Sequence, residues 1–252
     1  MIAYNKMISA IILSHNSEHS IEKAIKSVIW CDETILIDDD SSDKTTEIAS
    51  KYKIIIHKRR LNDNFSNQRN FGLQIAKGDW VLFLDSDEII STNLRNEIVT
   101  CIKEDKYNGY YICREDYVWD IKLKNNEMGR AFSIRLAKRN RGQWEGIVHE
   151  KWIISGNTKK LNNPIYHYPH KSISYFITKI NYYTELRSKE LFKRKKKVRF
   201  LDIAIYPLVK FFQVYIIKHG YEDGTAGIII SFLMSLHSFL VRAKLWQLWQ
   251  NQ

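Results

Sequence analysis

The chain has 252 residues, 44% of them apolar, with ten glycines and three prolines, so it can bury a core without disulfides or metals and is neither disordered nor fibrous. Its three cysteines, Cys31, Cys101 and Cys113, are odd in number and form no CxxC pair, which argues against a disulfide scaffold or a cysteine zinc site and suits a reducing compartment. The net charge of +11 is unevenly spread: residues 151–252 hold 17 Lys and Arg against 5 Asp and Glu, whereas residues 1–150 hold 22 against 23.

Such a division fits a near-neutral catalytic domain followed by a basic region that meets an anionic membrane or acidic substrate, and it also fits a nucleic-acid binder. The first ten residues show no charged stretch leading into an apolar one, so no signal peptide is expected. Ile8–Ser14 (ISAIILS) reads as a buried strand. Ile21, Ile25, Val28 and Ile29 recur at helical spacing, with Asn16 or Ser17 available as a cap. Thr34–Asp38 is a second strand, and Asp43 caps a helix over Lys44–Tyr52. Ile54–His57 is a third strand, Phe65–Ala76 a helix and Trp80–Leu84 a fourth strand that runs into Asp85-Ser86-Asp87-Glu88. This rhythm predicts a mostly parallel α/β sheet with helices on both faces, and ligands in such sheets bind beyond the carboxyl ends of the strands.

After Asn108 the pattern changes. Tyr110–Cys113, Ser133–Ala137 and Ile147–Ile153 read as shorter strands, and helices dominate beyond Lys171. Leu201–Lys218 and Gly227–Val241 are strongly apolar, close to the basic run Lys193–Lys197 (KRKKK). Lys210 divides the first and serines with His237 interrupt the second, so both fall short of the roughly 20 clean apolar residues of a spanning helix. The expected organisation is a catalytic domain over 1–170 and a helical, basic, membrane-associating and acceptor-side region over 171–252.

Two acidic clusters lie at predicted strand ends. Asp85 and Asp87, separated by one residue, can bridge a divalent cation and nucleotide phosphates, and hard oxygen ligands suit Mg²⁺ or Mn²⁺. In Asp38-Asp39-Asp40-Ser41-Ser42-Asp43, Ser42 and Asp43 account for a helix start, while Asp38 and Asp39 are candidates for a ribose hydroxyl or a base N–H.

Residues 10–16 (AIILSHN), 35–45 (ILIDDDSSDKT), 69–72 (RNFG) and 78–88 (GDWVLFLDSDE) resemble the family 2 glycosyltransferases in order and spacing. Residues 144–150 (WEGIVHE), His167, Lys171 and residues 220–227 (GYEDGTAG) are similar to the subgroup that adds a sugar to the lipopolysaccharide or lipooligosaccharide core. Asp40 and Lys44 stand where that family usually has glycines. The resemblance implies a GT-A fold, a UDP-sugar donor with glucose as the first candidate, a divalent metal, and inverting transfer to a surface glycolipid. By the same resemblance Ser14, Asn16, Asp38 or Asp39, Arg69, Asn70 and Asp85 bind the nucleotide-sugar. Asp85 reaches the ribose and the metal-bound water, Asp87 ligates the metal, and His149 completes the metal site or holds a phosphate.

An inverting displacement needs a base for the acceptor hydroxyl. Glu150 is the first candidate, Glu145 the second, and Asp116 remains if neither serves. Glu145 and Glu150 are five apart, so one extended strand would put them on opposite faces. Trp119, Trp144 and Trp152 are candidate sugar platforms, although tryptophans are more often core. The rivals are a nucleotidyltransferase, for which Ser14-His15-Asn16-Ser17 offers no glycine-rich phosphate loop, and a basic nucleic-acid-binding protein, for which no helix-turn-helix, zinc or RNA-recognition signature occurs. The expected location is cytoplasmic, with peripheral binding to the inner face of the membrane and no nucleic-acid partner.

Overall fold

The computed structural model describes residues 6–62, 64–124, 130–146, 150–169 and 172–251. They form two compact units, one of residues up to 115 with 131–167, and one of 116–130 with 168–252.

The first unit alternates strand and helix: β1 (Ile8–Ser14), α1 (Ile21–Val28), β2 (Glu33–Asp38), α2 (Thr45–Ser50), β3 (Ile55–Lys58), α3 (Phe65–Ile75), β4 (Trp80–Asp85), β5 (Glu88–Ile90) and α4 (Thr92–Glu104). Then come β6 (Gly109–Val118), whose last residues enter the second unit, a short β7 (Ile121–Lys122), β8 (Arg130–Lys138), β9 (Gly142–Glu145), β10 (Lys151–Ile154), β11 (Thr158–Lys160) and β12 (Ile165–His167). The sheet runs in the order β3-β2-β1-β4-β8-β6-β12-β5, with β11 beside β6, while β9 and β10 form a separate hairpin. The β1–β2, β1–β4 and β2–β3 pairs are parallel, and β8 lies antiparallel to β4.

Alternation along the central strands assigns each face of the sheet its own core. Ile8, Ala10 and Ile12 of β1, with Leu36, Trp80, Leu82 and Leu84, pack on the side that includes α1 and α4. Ile11, Ile35, Ile37, Val81 and Phe83 pack against Leu73 of α3 and against Trp144 and Trp152 of the hairpin. Gly72 lets α3 approach closely, because a Cβ there would stand 3.0 Å from Ile11 side-chain carbons. This is a GT-A-like arrangement, a mostly parallel sheet flanked by helices, with a helical C-terminal extension.

The second unit consists of that extension, α5 (Ile173–Lys193), α6 (Phe200–Phe212) and α7 (Gly224–Gln250), together with residues 116–130. Its core gathers Val118, Leu123, Phe176, Ile180, Ala226, Ile230 and Leu233. A wider π turn, Gln213–Ile217, prolongs α6, and α7 spans 27 residues. By length and composition Phe200–Ile217 and Gly220–Gln250 are long and apolar enough to cross a membrane. The first keeps the length expected of it, with Lys210 still inside, whereas the helix of Gly227–Val241 continues at both ends.

Candidate active site

The carboxyl ends of β1, β2 and β4 bring both acidic clusters to one edge of the first unit's sheet, since Ser14 is in register with Asp38 and Leu13 with Asp85. Asn16 does not cap α1. It adopts a left-handed φ of 47°, its N–H donates to Ser41 Oγ, and its Oδ1 accepts from Ser42 N at 2.9 Å. Asp38 is fully buried. Its carboxylate accepts from Ser14 Oγ at 2.9 Å, Ser41 Oγ at 2.6 Å and Ser41 N at 2.9 Å. Such an enclosed group shapes the loop from within, whatever further contact it makes to a nucleotide. Asp39 is the more open of the two, with Oδ1 accepting from Leu61 N at 2.8 Å and Oδ2 3.8 Å from His15 Nδ1.

Asp40 takes a left-handed φ of 49°, a conformation aspartate tolerates better than most residues, and this explains how it replaces a glycine. Arg60 holds its carboxylate at 2.8 Å. Asp43, expected to cap the helix, stands one residue before the N-cap Lys44 and holds the turn into α2, accepting from Thr45 N and Glu18 N at 2.9 Å.

The densest charge network surrounds Asp85. Arg69 on α3 donates from Nη2 to Asp85 Oδ1 at 2.8 Å and from Nε to Glu150 Oε1 at 2.9 Å. Its guanidinium lies 4.7 Å from the Trp144 ring centre, and its side chain is only 5% exposed, so it is no surface charge. Arg135 on β8 donates from Nη2 to Asp85 Oδ2 at 3.2 Å and to Glu88 Oε1 at 2.8 Å. Glu88 Oε2 accepts the Asp85 N–H at 2.9 Å and so closes the turn after β4. Burial works against ionisation of Asp85, but the charges of Arg69 and Arg135 outweigh it and hold the carboxyl well below the usual range. Burial pushes Glu88 up, with Arg135 opposing and Asp85 adding to the rise. Arg135 pays for its own burial through Glu88 and Asp85, which bind its proton more firmly than in an ordinary arginine. Arg69 Nη1 and Arg135 Nη1 are buried without a hydrogen-bond partner among the described residues.

Asp87 faces His167, whose Nε2 lies 3.4 Å from Asp87 Oδ1. The approach follows from the antiparallel β5–β12 pair, in which His167 is opposite Glu88. A carboxylate and an imidazole here suit a divalent cation that completes its shell with phosphate and water. Asp85 differs in that guanidinium groups engage both its oxygens. Among the described residues no group of three His, Cys, Asp or Glu could hold an ion alone. His149 lies outside the described residues.

Glu145 and Glu150 do not share a strand: Glu145 ends β9 and is exposed, whereas Glu150 precedes β10 and turns to Arg69. Asn70 exchanges two 2.9 Å hydrogen bonds with the Trp144 backbone and so pins the hairpin. Trp144 and Trp152 are 5% and 4% exposed and stack on each other at 5.4 Å, so they are core, with Phe83 edge-on to both. Arg135, Glu88 and the role of His167 beside Asp87 were missed from sequence. Arg135 has no motif, and His167, though part of the subgroup resemblance, carried no role because its pairing with Asp87 arises across strands.

Comparison with known proteins agrees with this geometry. The description "Glycosyl transferase family 2" matches residues 9–153. An uncharacterized glycosyltransferase of Rickettsia bellii is 32% identical, the match covering 96% of this chain and 87% of that protein. The lipopolysaccharide core biosynthesis glycosyltransferase LpsC of Rhizobium meliloti is 23% identical, over 95% of this chain and 92% of its own. The crystal structure of S. aureus TarS shares the fold at a TM-score of 0.50 and 15% identity, covering 94% of this chain and 55% of that one. The match decides for a glycosyltransferase over a nucleotidyltransferase: the chain belongs to glycosyl transferase family 2.

Proposed function

We propose that this glycosyltransferase moves a hexose, glucose first among the candidates, from a UDP-sugar to a lipopolysaccharide or lipooligosaccharide core or a related surface glycolipid, with inversion. The observation that carries the reading is the Asp85 network. Two buried arginines converge on one carboxylate beside Glu150, and each keeps a guanidinium N–H without a partner among the described residues. A buried, unsatisfied N–H costs about 1–3 kcal/mol, which a shift of either guanidinium toward a diphosphate oxygen would recover. Fixed donors of this kind stabilise charge as it develops on a leaving diphosphate. The likeness to LpsC supports the acceptor class.

Ser14, Asn16 and Asp38 build the nucleotide edge, and Asp39 presents the open carboxylate there. Asp87 and His167 would hold Mg²⁺ or Mn²⁺, which supplies charge neutralisation for the donor phosphates. The acceptor oxygen bonds to the anomeric carbon as the bond to the diphosphate breaks, and the hydroxyl proton passes to Glu150. Arg69 holds Glu150 by Oε1 and so orients it. A surface glycolipid acceptor implies work at the inner face of the cytoplasmic membrane, with residues 171–252 as the membrane-associating, acceptor-side region.

A screen of UDP-, GDP- and TDP-sugars, following nucleotide release with and without chelator, tests the reading. Release from UDP-glucose that depends on a divalent ion is the expected result. Turnover of a GDP- or TDP-sugar alone would refute the donor, and full activity in chelator would refute the metal.

A further inference from the structure

Helix α6 inverts the usual order of a helix in water, where apolar side chains face inward and charges outward. None of its residues is buried. Its most exposed side chains are apolar: Phe200 is 81% exposed, Leu201 and Leu208 62% each, and Ile217, at the end of the π turn that prolongs it, 72%. The residues at 201, 204–205, 208–209 and 212 fall on one broad face, and each is apolar and exposed. On α7 the exposed residues Ile228, Phe232 and Phe239 line a single stripe in the same way.

Polar groups of the pair turn instead to the seam between the two helices. Ser235 Oγ donates to the Pro207 carbonyl at 2.7 Å. Arg242 lies 3.9 Å from the Tyr206 ring centre and donates from Nη1 to Ser238 O at 2.9 Å.

One end of the pair carries a different signature. Residues 193–197 are five consecutive exposed cations. Trp249 near the end of α7 ties them down: its Nε1 donates to Lys196 O at 2.8 Å, and its ring lies 4.7 Å from Phe192. Tryptophan beside Lys and Arg at the border of an apolar helix is the composition of a membrane–water interface.

We propose that the α6–α7 pair is a bilayer-embedded anchor, its apolar faces in hydrocarbon and the Lys193–Lys197 run on anionic headgroups. Charge complementarity identifies the occupant, since an apolar protein partner would not account for a cationic, tryptophan-bearing rim. The inference deepens the glycolipid-acceptor reading and rests on it for its purpose: a chain held at the membrane shares a surface with its acceptor. The two can fail separately, because membrane binding is measured without donor or acceptor.

The test is co-sedimentation of the full chain with phosphatidylcholine vesicles, with and without phosphatidylglycerol, at low salt and at about 1 M salt, where screening shortens the reach of charge to about 3 Å. Burial of hydrocarbon predicts that phosphatidylglycerol strengthens binding at low salt and that a bound fraction survives high salt on both vesicles. Phe200→Asp with Leu208→Asp, at positions exposed enough to spare the fold, should weaken the salt-resistant binding roughly a hundredfold. Replacing residues 193–197 by Gln should remove only the phosphatidylglycerol-dependent part. Complete release of the wild type at high salt would overturn the proposal and leave charge as the sole anchor. Absence of vesicle binding, with the chain sedimenting as a dimer that the Asp variants dissociate, would overturn it in favour of a second copy.

Discussion

Removal of Arg135 isolates the network that this structure adds to the site. Arg135→Met leaves Glu88, which is fully buried, without its 2.8 Å cationic partner, and deprives Asp85 of one of two. Breaking a buried ion pair from one side costs about 3–5 kcal/mol, because the surviving charge is left uncompensated. For a chain of this size that corresponds to a fall in Tm of roughly 6–20 °C. Glu88→Gln in the same background removes the orphaned charge while keeping an acceptor for the Asp85 N–H. The double variant should therefore recover about 1–3 kcal/mol relative to the sum of the single losses.

The pH dependence carries its own sign. Burial already holds the folded pKa of Glu88 above its unfolded value, and loss of Arg135 removes the largest opposing influence and leaves only His167 and the Asp85 N–H, so the value rises further. A carboxyl of that kind destabilises most at high pH, and its penalty fades as pH falls through the folded pKa and it takes up a proton. The deficit of Arg135→Met should shrink as pH falls from neutral toward the unfolded carboxylate value, whereas that of the double variant should not. Calorimetric melting across that range, with denaturant titration at each pH, gives the four corners of the cycle. Losses that add within about 0.5 kcal/mol, with no pH trend, would refute the claim that the two residues act as a pair.

Asp87→Asn should leave the melting profile nearly intact while abolishing transfer, and an unchanged rate of sugar transfer would remove Asp87 from the mechanism. Glu150→Gln should lower turnover by about 10²–10⁴-fold with nucleotide affinity nearly unchanged, as isothermal titration would show. Glu145→Gln, at an exposed position, should have little effect, and the reverse ranking would move the base to Glu145. Glu97 accepts hydrogen bonds from both the backbone and the amide groups of Asn162 and Asn163, and these outweigh its burial and hold it below the usual carboxylate range. Its charge-dependent stabilisation is present above the unfolded value near 4.3 and is lost as pH falls through the folded one, so Glu97→Ala should cost about 1 kcal/mol at pH 7, reduced by solvent screening at this partly exposed site, and less in acid.

Local pattern was enough for the alternating half of the chain. Short apolar runs punctuated by helical spacing specify β1 to β4 and the helices between them, because burial on both faces of a parallel strand demands continuous apolar sequence. The same logic put both acidic clusters at one edge, and Asp85, Asp87 and Arg69 were readable as a motif. The roles inside that motif were not. Asp38 and Asp39 are adjacent and identical in sequence, and only packing encloses the first and leaves the second open. Asn70 bonds to the hairpin because Trp144 returns to it from far along the chain. Arg135 and His167 meet the DxD turn through strand pairings made across long loops, and no local pattern encodes a cross-strand neighbour. Residues 116–130 fold with the C-terminal helices for the same reason, as Lys124 N donates to Asp223 Oδ1 at 2.8 Å across 99 residues of chain. Composition revealed that the last hundred residues are basic and apolar. Tertiary structure alone decided which of those apolar side chains are exposed, because a hydrophobic residue reads the same in sequence whether it meets a core or a bilayer.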